Sequence, residues 1–209
     1  MTAHTFTNDW FIRHKPIWDQ LLAIERPTRI LEVGSYEGAS ACYLVDTLAC
    51  NSAIELHCVD SWQGGVEHRA GGQYASDMSA VEARFRNNVA LSQSRAREKV
   101  ELVVHRQHSD VALAALLAGG KAGYFDLIYI DGSHEAPDVL CDAVFGFRLL
   151  RVGGVIVFDD YLWAEHLPYG RDPLRCPKPA IDAFVNLNFR RLDIIRAPLG
   201  QLFVRKLAG

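Results

Sequence analysis

Two stretches decide the fold: FDLIYIDGSH, Phe125 to His134, and GGVIVFDDY, Gly153 to Tyr161. Each is an apolar run that stops abruptly in acid, the second in a pair. Near-continuous Val, Ile, Leu and Phe is the pattern of a strand buried on both faces, as in a parallel sheet covered by helices. Outward from these, similar runs recur as RILEVG, IELHCVD and VELVVHR. Helical stretches lie between them: from about Ala39 to Ala49, through MSAVEARFRNNVALS, through SDVALAALLAG (closed by Gly119), and through VLCDAVFGFRLL. This alternation predicts an α/β fold, a doubly wound, mostly parallel sheet with helices on both faces. The tail departs from it. RLDIIRA and QLFVRK are two strands joined by PLG, short enough for a hairpin. The sheet therefore gains an antiparallel last strand.

The 209 residues suffice for one domain, 1–209. Within it, 1–28 reads as an N-terminal helical extension: PIWDQLLAI places Ile17, Trp18, Leu21 and Leu22 on one face, with Pro16 tolerated in the first turn. The Pro-, Arg- and aromatic-rich stretch 162–179 reads as an irregular lid or acceptor loop. Apolar residues make up 49% and the net charge is −3, which argues against a nucleic-acid phosphate binder. No apolar run approaches the roughly 18 residues of a membrane span. MTAHTFTNDWFIRHKP does not read as a secretory signal. A cytoplasmic location is the expectation. Five cysteines show no C-x-x-C spacing, and four sit in apolar segments, where reduced core cysteine is expected. The apolar N-terminal region with Trp10, Phe11 and Trp18 leaves two packings open, on its own sheet or on a second subunit of a homo-oligomer.

LEVGSYEG follows the first strand and opens the first helix. Gly34 permits a tight turn, and Gly38 lets the helix start close to a ligand. The pattern Glu-x-Gly-x-x-x-Gly is not the dinucleotide Gly-x-Gly-x-x-Gly, and alone it equally describes a plain strand-to-helix turn. The second strand ends in Asp60, suited to two ribose hydroxyls; a helix cap is the alternative, although Ser61, Trp62 and two glycines follow. After the third strand come His108, Ser109 and Asp110, where Ser109 or Asp110 suits an N-cap. Glu32 lies on the first strand, where a buried acid needs a partner, and a cationic ligand group would serve.

Glu32-Val33-Gly34-Ser35-Tyr36-Glu37-Gly38, then Asp60, then Asp131, resembles the motif series of class I S-adenosylmethionine-dependent methyltransferases, from about Ile30 to the C-terminus. The resemblance implies a Rossmann-like seven-stranded fold. It sets Glu32 and Gly34 against the methionine part, Asp60 on the ribose and Ser109 near the adenine. Ser35, Tyr36, Gly38, Ser40, Ser61, Trp62, His108 and Asp131 complete the expected cofactor set.

In such a sheet ligands sit beyond the carboxyl ends of the strands, at the switch point. With the usual class I strand order, Asp131, Asp159 and Asp160 end neighbouring strands about 4.8 Å apart. Three ionised carboxylates there need a cation or shifted pKa values, and an all-oxygen set suits Mg²⁺. The alternative is that Asp159 and Asp160 cap a loop. IDGSH followed by FDDY is similar to the metal-dependent O-methyltransferases, the catechol type and small bacterial enzymes acting on sugar or phenolic hydroxyls of natural products. That resemblance implies Asp131, Asp159 and Asp160 as metal ligands and a vicinal-diol, catechol or sugar acceptor. His134 falls where the catechol enzyme has its Lys, and Ser133 where some bacterial relatives carry a base Asp. His134 and Asp131 are the expected catalytic pair, with a surface helix-start histidine as the alternative for His134. His68 and His166 are second candidates, with positions on mobile surface loops as the alternative. Trp62, Trp163 and Tyr161 are candidate walls for the acceptor. A metal-free N-methyltransferase and a non-catalytic cofactor binder remain alternatives. A nicotinamide oxidoreductase ranks below, because GSYEGA lacks its glycine spacing.

Overall fold

The structure is a computed structural model that describes residues 3–68, 72, 74–165 and 167–209. Seven strands form one sheet: β1 (Arg29–Val33), β2 (Ile54–Val59), β3 (Val100–His105), β4 (Phe125–Ile130), β5 (Leu150–Phe158), β6 (Leu192–Ile195) and β7 (Leu202–Lys206). Their order is β3-β2-β1-β4-β5-β7-β6. Only β7 runs against its neighbours, pairing antiparallel with both β5 and β6. The hairpin read from RLDIIRA-PLG-QLFVRK is thus inserted with its second strand inward.

Side chains alternate between two cores, as the pleat requires. Leu127 and Tyr129 of β4 face one and Ile128 and Ile130 the other, while Phe125 joins the second across a register shift between Phe125 and Leu127. The first core is covered by α1 (Lys15–Glu25), α2 (Ala39–Leu48) and α3 (Met78–Arg95); the second by α4 (Ser109–Ala118), α5 (Ala136–Leu149) and α6 (Pro177–Asn188). Trp18, Leu21 and Leu22 are buried as their spacing predicts. The Trp18 ring meets Tyr129 edge-on at 4.9 Å, so the N-terminal helix packs on its own sheet.

Three expectations are corrected. The cap of α4 is His108, which makes no side-chain cap bond; Ser109 is already helical, and Asp110 accepts from the adjacent Val111 amide. The stretch 162–179 is not wholly irregular, because α6 opens at Pro177 with a proline in its first turn. Of the four cysteines in apolar segments only Cys42 and Cys58 are buried, with Cys141 half-buried and Cys50 exposed, whereas Cys176 of the proline-rich stretch is buried. Among the described residues no helix is long and apolar enough to cross a membrane.

What matters for function is how the ladder runs past the strand ends. Gly34 N donates to Val59 O, Asp131 N to Val33 O and Asp159 N to Ile130 O, all within 2.9 Å. Backbone bonding alone thus sets residues 34, 131 and 159 side by side, at the point where neighbouring connections diverge from β1.

Candidate active site

One cavity of about 730 Å³ lies over this edge, within the size of a small-molecule site. At one end stands the turn after β1. Gly34 has φ +84°, and a methyl group there would lie 1.9 Å from the Asp131 carbonyl oxygen. Glycine is therefore required first by the close approach of β4. Gly38, also at positive φ, lets α2 start against Phe85 and Val89 of α3 rather than against a ligand, and it does not line the cavity.

Asp60 closes the turn. Its Oδ2 accepts from Ser35 N (3.0 Å) and Tyr36 N (2.9 Å), and its Oδ1 from Trp62 N (2.7 Å). A carboxylate has about four acceptor positions, so roughly one remains for a ligand, not the two that a pair of ribose hydroxyls would use. Burial raises the Asp60 pKa, and the three amides oppose that rise. Glu32 is fully buried behind the turn and outside the cavity lining. It needs no cationic ligand for a partner: the hydroxyls of Ser35 and Ser40 each donate to it at 2.5 Å. Burial still holds its pKa above the usual carboxylate range. Ser35, Tyr36, Ser40, Ser61, His108 and Ser109 line the cavity as expected. Trp62 does not. At φ +47° its ring turns inward onto Phe85, and Nε1 donates to Tyr36 O. It supports the turn from beneath.

The sequence reading missed the segment before α1. Thr7 donates through N and Oγ1 to the two oxygens of Glu37, both at 2.7 Å, and Arg84 of α3 closes on the same carboxylate. Thr5 N donates to Asn88 Oδ1, and Asn88 Nδ2 donates to Thr5 O and Glu37 O. So anchored, this strap lays Asn8, Trp10, Phe11 and Arg13 along the cavity wall. Trp10 lies 5.3 Å from the Tyr36 ring and 5.4 Å from that of Tyr74. No sequence signal short of an α3 carrying buried polar Asn88 and Ser92 points to a strap docked there.

At the other end stand the acids. Tyr129 Oη lies 3.0 Å from Asp131 Oδ2 and also bonds Asp159 Oδ2. Burial, then the neighbouring carboxylates, raise Asp131 well above the ordinary range, and Asp159 is raised for the same reasons. Tyr129 is pushed upward too, so it keeps its proton. Asp160 takes another direction. At φ +51° it aims Oδ2 at His134 Nε2, 3.0 Å away, and Oδ1 at Arg13, 3.9 Å away. The three expected ligands thus share one rim, but Asp160 is engaged elsewhere. Among the described residues no group of three or more His, Cys, Asp or Glu side chains stands where it would hold a metal ion. His14 lies 3.8 Å from Asp159, and its Nε2 accepts from Arg13 Nε. Burial lowers its pKa, which fits a neutral ring.

His134 stacks on Trp163 at 4.0 Å, and both line the cavity. Tyr161 does not; its hydroxyl donates to Asp182 and accepts from Lys178 of α6. His68 lines the cavity beside Tyr36, and His166 lies outside the described residues.

A family model described as a methyltransferase domain matches residues 31–161. Among solved structures, the O-methyltransferase TomG of Streptomyces achromogenes, involved in tomaymycin synthesis and in complex with SAM, is similar at TM-score 0.64 and 18% identity, over 94% of this chain and 80% of that one. The O-methyltransferase of Bacillus cereus in complex with SAH is similar at TM-score 0.60 and 18% identity, over 98% and 84%. A curated relative, the uncharacterized protein y4gI of Sinorhizobium fredii, is 29% identical over 158 residues, 75% of this chain. The chain spans 16% of that longer protein.

Proposed function

The chain belongs to the methyltransferase-domain family, and from that premise we propose that it transfers the methyl group of S-adenosylmethionine to a hydroxyl of a small molecule, with a divalent cation at the acid end. The observation that carries this reading is that one cavity joins the Gly34–Asp60 turn to the Asp131–Asp159 pair. The acceptor class this favours is a vicinal diol, catechol or sugar.

S-adenosylmethionine brings a methyl on a sulfonium, which needs only an oxygen in line with the C–S bond. The chain's task is then positioning and exclusion of water. Asp60 holds the Ser35 and Tyr36 amides in place and offers its remaining acceptor position to a ribose hydroxyl. Trp10 and Tyr36 wall the same end.

The donor chemistry of the acid end suits a cation. Asp131 and Asp159 are oxygen donors, both pushed toward protonation by burial and then by neighbouring carboxylates, Asp131 by Asp159 and Asp160, and Asp159 by Asp160. They fit a hard cation that completes its shell with water and acceptor oxygens. Two carboxylates rather than three would hold it. Such an ion, when bound, lowers the pKa of the acceptor hydroxyl. Asp160 Oδ2 lies 3.0 Å from His134 Nε2 and holds the imidazole at the rim. The imidazole takes the hydroxyl proton as the oxygen–carbon bond forms and the sulfur receives the C–S electron pair.

The test is a calorimetric titration of Mg²⁺ into chelator-stripped protein saturated with S-adenosylhomocysteine. A one-to-one event lost in Asp159→Ala supports the reading. No event moves the acids to substrate recognition, and the acceptor search to amines.

A further inference from the structure

Tyr129 sits inside the stretch FDLIYIDGSH, two residues before Asp131, and none of the roles above uses it. It is fully buried, yet its hydroxyl reaches the acid end. Its partners are determinate. Trp18 Nε1, which can only donate, bonds Gln201 Oε1 at 2.9 Å. That bond fixes the orientation of the buried Gln201 amide and turns its Nε2–H toward Tyr129 Oη, 3.5 Å away. Oη therefore accepts from Gln201 and has one proton to give. Two carboxylates, Asp131 and Asp159, face it. One hydroxyl proton cannot satisfy both carboxylates, and a neutral hydroxyl leaves their charge uncompensated.

We propose that Tyr129 is a positioning residue: its hydroxyl, oriented through Gln201 by Trp18, holds the Asp131 and Asp159 carboxylates at one spacing, so that they present their other oxygens to a divalent cation. This rests on the reading of those acids as a cation site. The tie has a structural origin on both sides. Trp18 comes from α1 and Gln201 from the residue before β7, so the helix that precedes the sheet and the strand inserted in it brace the same hydroxyl. Outer groups that orient metal ligands in this way commonly change metal affinity about 10- to 100-fold.

The experiment is calorimetry of Mg²⁺, and separately of S-adenosylhomocysteine, on wild type and Tyr129→Phe. The expected result is Mg²⁺ affinity lower by about 10- to 100-fold with S-adenosylhomocysteine affinity unchanged. A merely structural role would weaken both together, and that outcome overturns the proposal, as does unchanged Mg²⁺ affinity. If wild type takes up no Mg²⁺, the cation reading itself fails and the proposal falls with it, an outcome distinct from equal binding by both proteins. Should Tyr129→Phe not fold, Gln201→Met keeps the hydroxyl and removes its brace. A fall in Mg²⁺ affinity alone supports the proposal, and no change overturns it.

Discussion

At the turn end of the cavity the ligand-facing groups come from a contiguous run, Gly34 to Tyr36, held by a carboxylate 25 residues from Ser35. At the acid end they come from the ends of two strands, braced from behind by α1 and the residue before β7, and Tyr129 joins positions 30 and 72 residues away. The first end is mainly backbone: amides, positive φ angles and one acid that fixes them. The second is mainly side-chain charge in a buried place, with one hydroxyl between its two carboxylates. Backbone ends bind by shape and tolerate side-chain change, whereas charged ends depend on each partner, because removing one leaves the others uncompensated. Gly34, in van der Waals reach of Asp131, is where the two ends touch.

The comparison can be broken at several points. Asp159→Ala carries the largest expected effect, a loss of methyl transfer of at least ~10³-fold, about 4 kcal/mol of barrier. It would be read as S-adenosylhomocysteine formed with catechol and vicinal-diol acceptors. If turnover survives, the acid end is not where the chemistry occurs. Gly34→Ala should damage both ends at once. A methyl 1.9 Å from a carbonyl oxygen, at φ +84°, forces the β1 and β4 ends apart, at about 3 kcal/mol or more of stability. Urea unfolding checks this, and an unperturbed midpoint would refute the close approach.

Asp142 on α5 sharpens the view of what buried charge costs here. Among the described residues neither of its oxygens has a hydrogen-bond partner, though Ser109 nearby draws its pKa down. Burial pushes it up to about 7 from 3.8. The folded state therefore binds the proton more tightly, and stability falls as pH rises from about 4 to about 7. Asp142→Asn should gain about 2 kcal/mol near pH 8 and little near pH 4. A loss near pH 8 would mean the carboxylate has a stabilising partner. Smallest is Trp10→Ala, which removes one aromatic wall and should weaken S-adenosylhomocysteine binding by about 1 kcal/mol. Unchanged affinity would detach the strap from the cofactor end.

The contrast also explains what could be read from the chain. The sheet was legible because β1, β2, β4 and β5 are mostly apolar and buried and end in glycine or acid, and the hairpin tail placed the antiparallel strand. The turn end was legible because Gly34, Ser35, Tyr36 and Asp60 act close to where they stand in sequence. Glu32, Gly38 and Trp62 carried the same signal but serve the turn from behind, a distinction only burial reveals. The rim of Asp131, Asp159 and Asp160 followed from strand order. The turning of Asp160 to His134 did not, since it depends on one positive φ. The strap was invisible, because Thr5 and Thr7 meet partners 83 and 30 residues away through polar groups without periodicity. Helix α6 was hidden under two prolines that read as loop but sit in its first turn.

The most direct test of the two-ended cavity is S-adenosylhomocysteine affinity, measured by calorimetry in Asp60→Ala and Asp159→Ala against wild type. The account predicts a loss of about 1.5–3 kcal/mol in Asp60→Ala, the range for a hydrogen bond to a charged group, and an affinity unchanged within about twofold in Asp159→Ala. Full affinity in Asp60→Ala, or an equal loss in both variants, would contradict it.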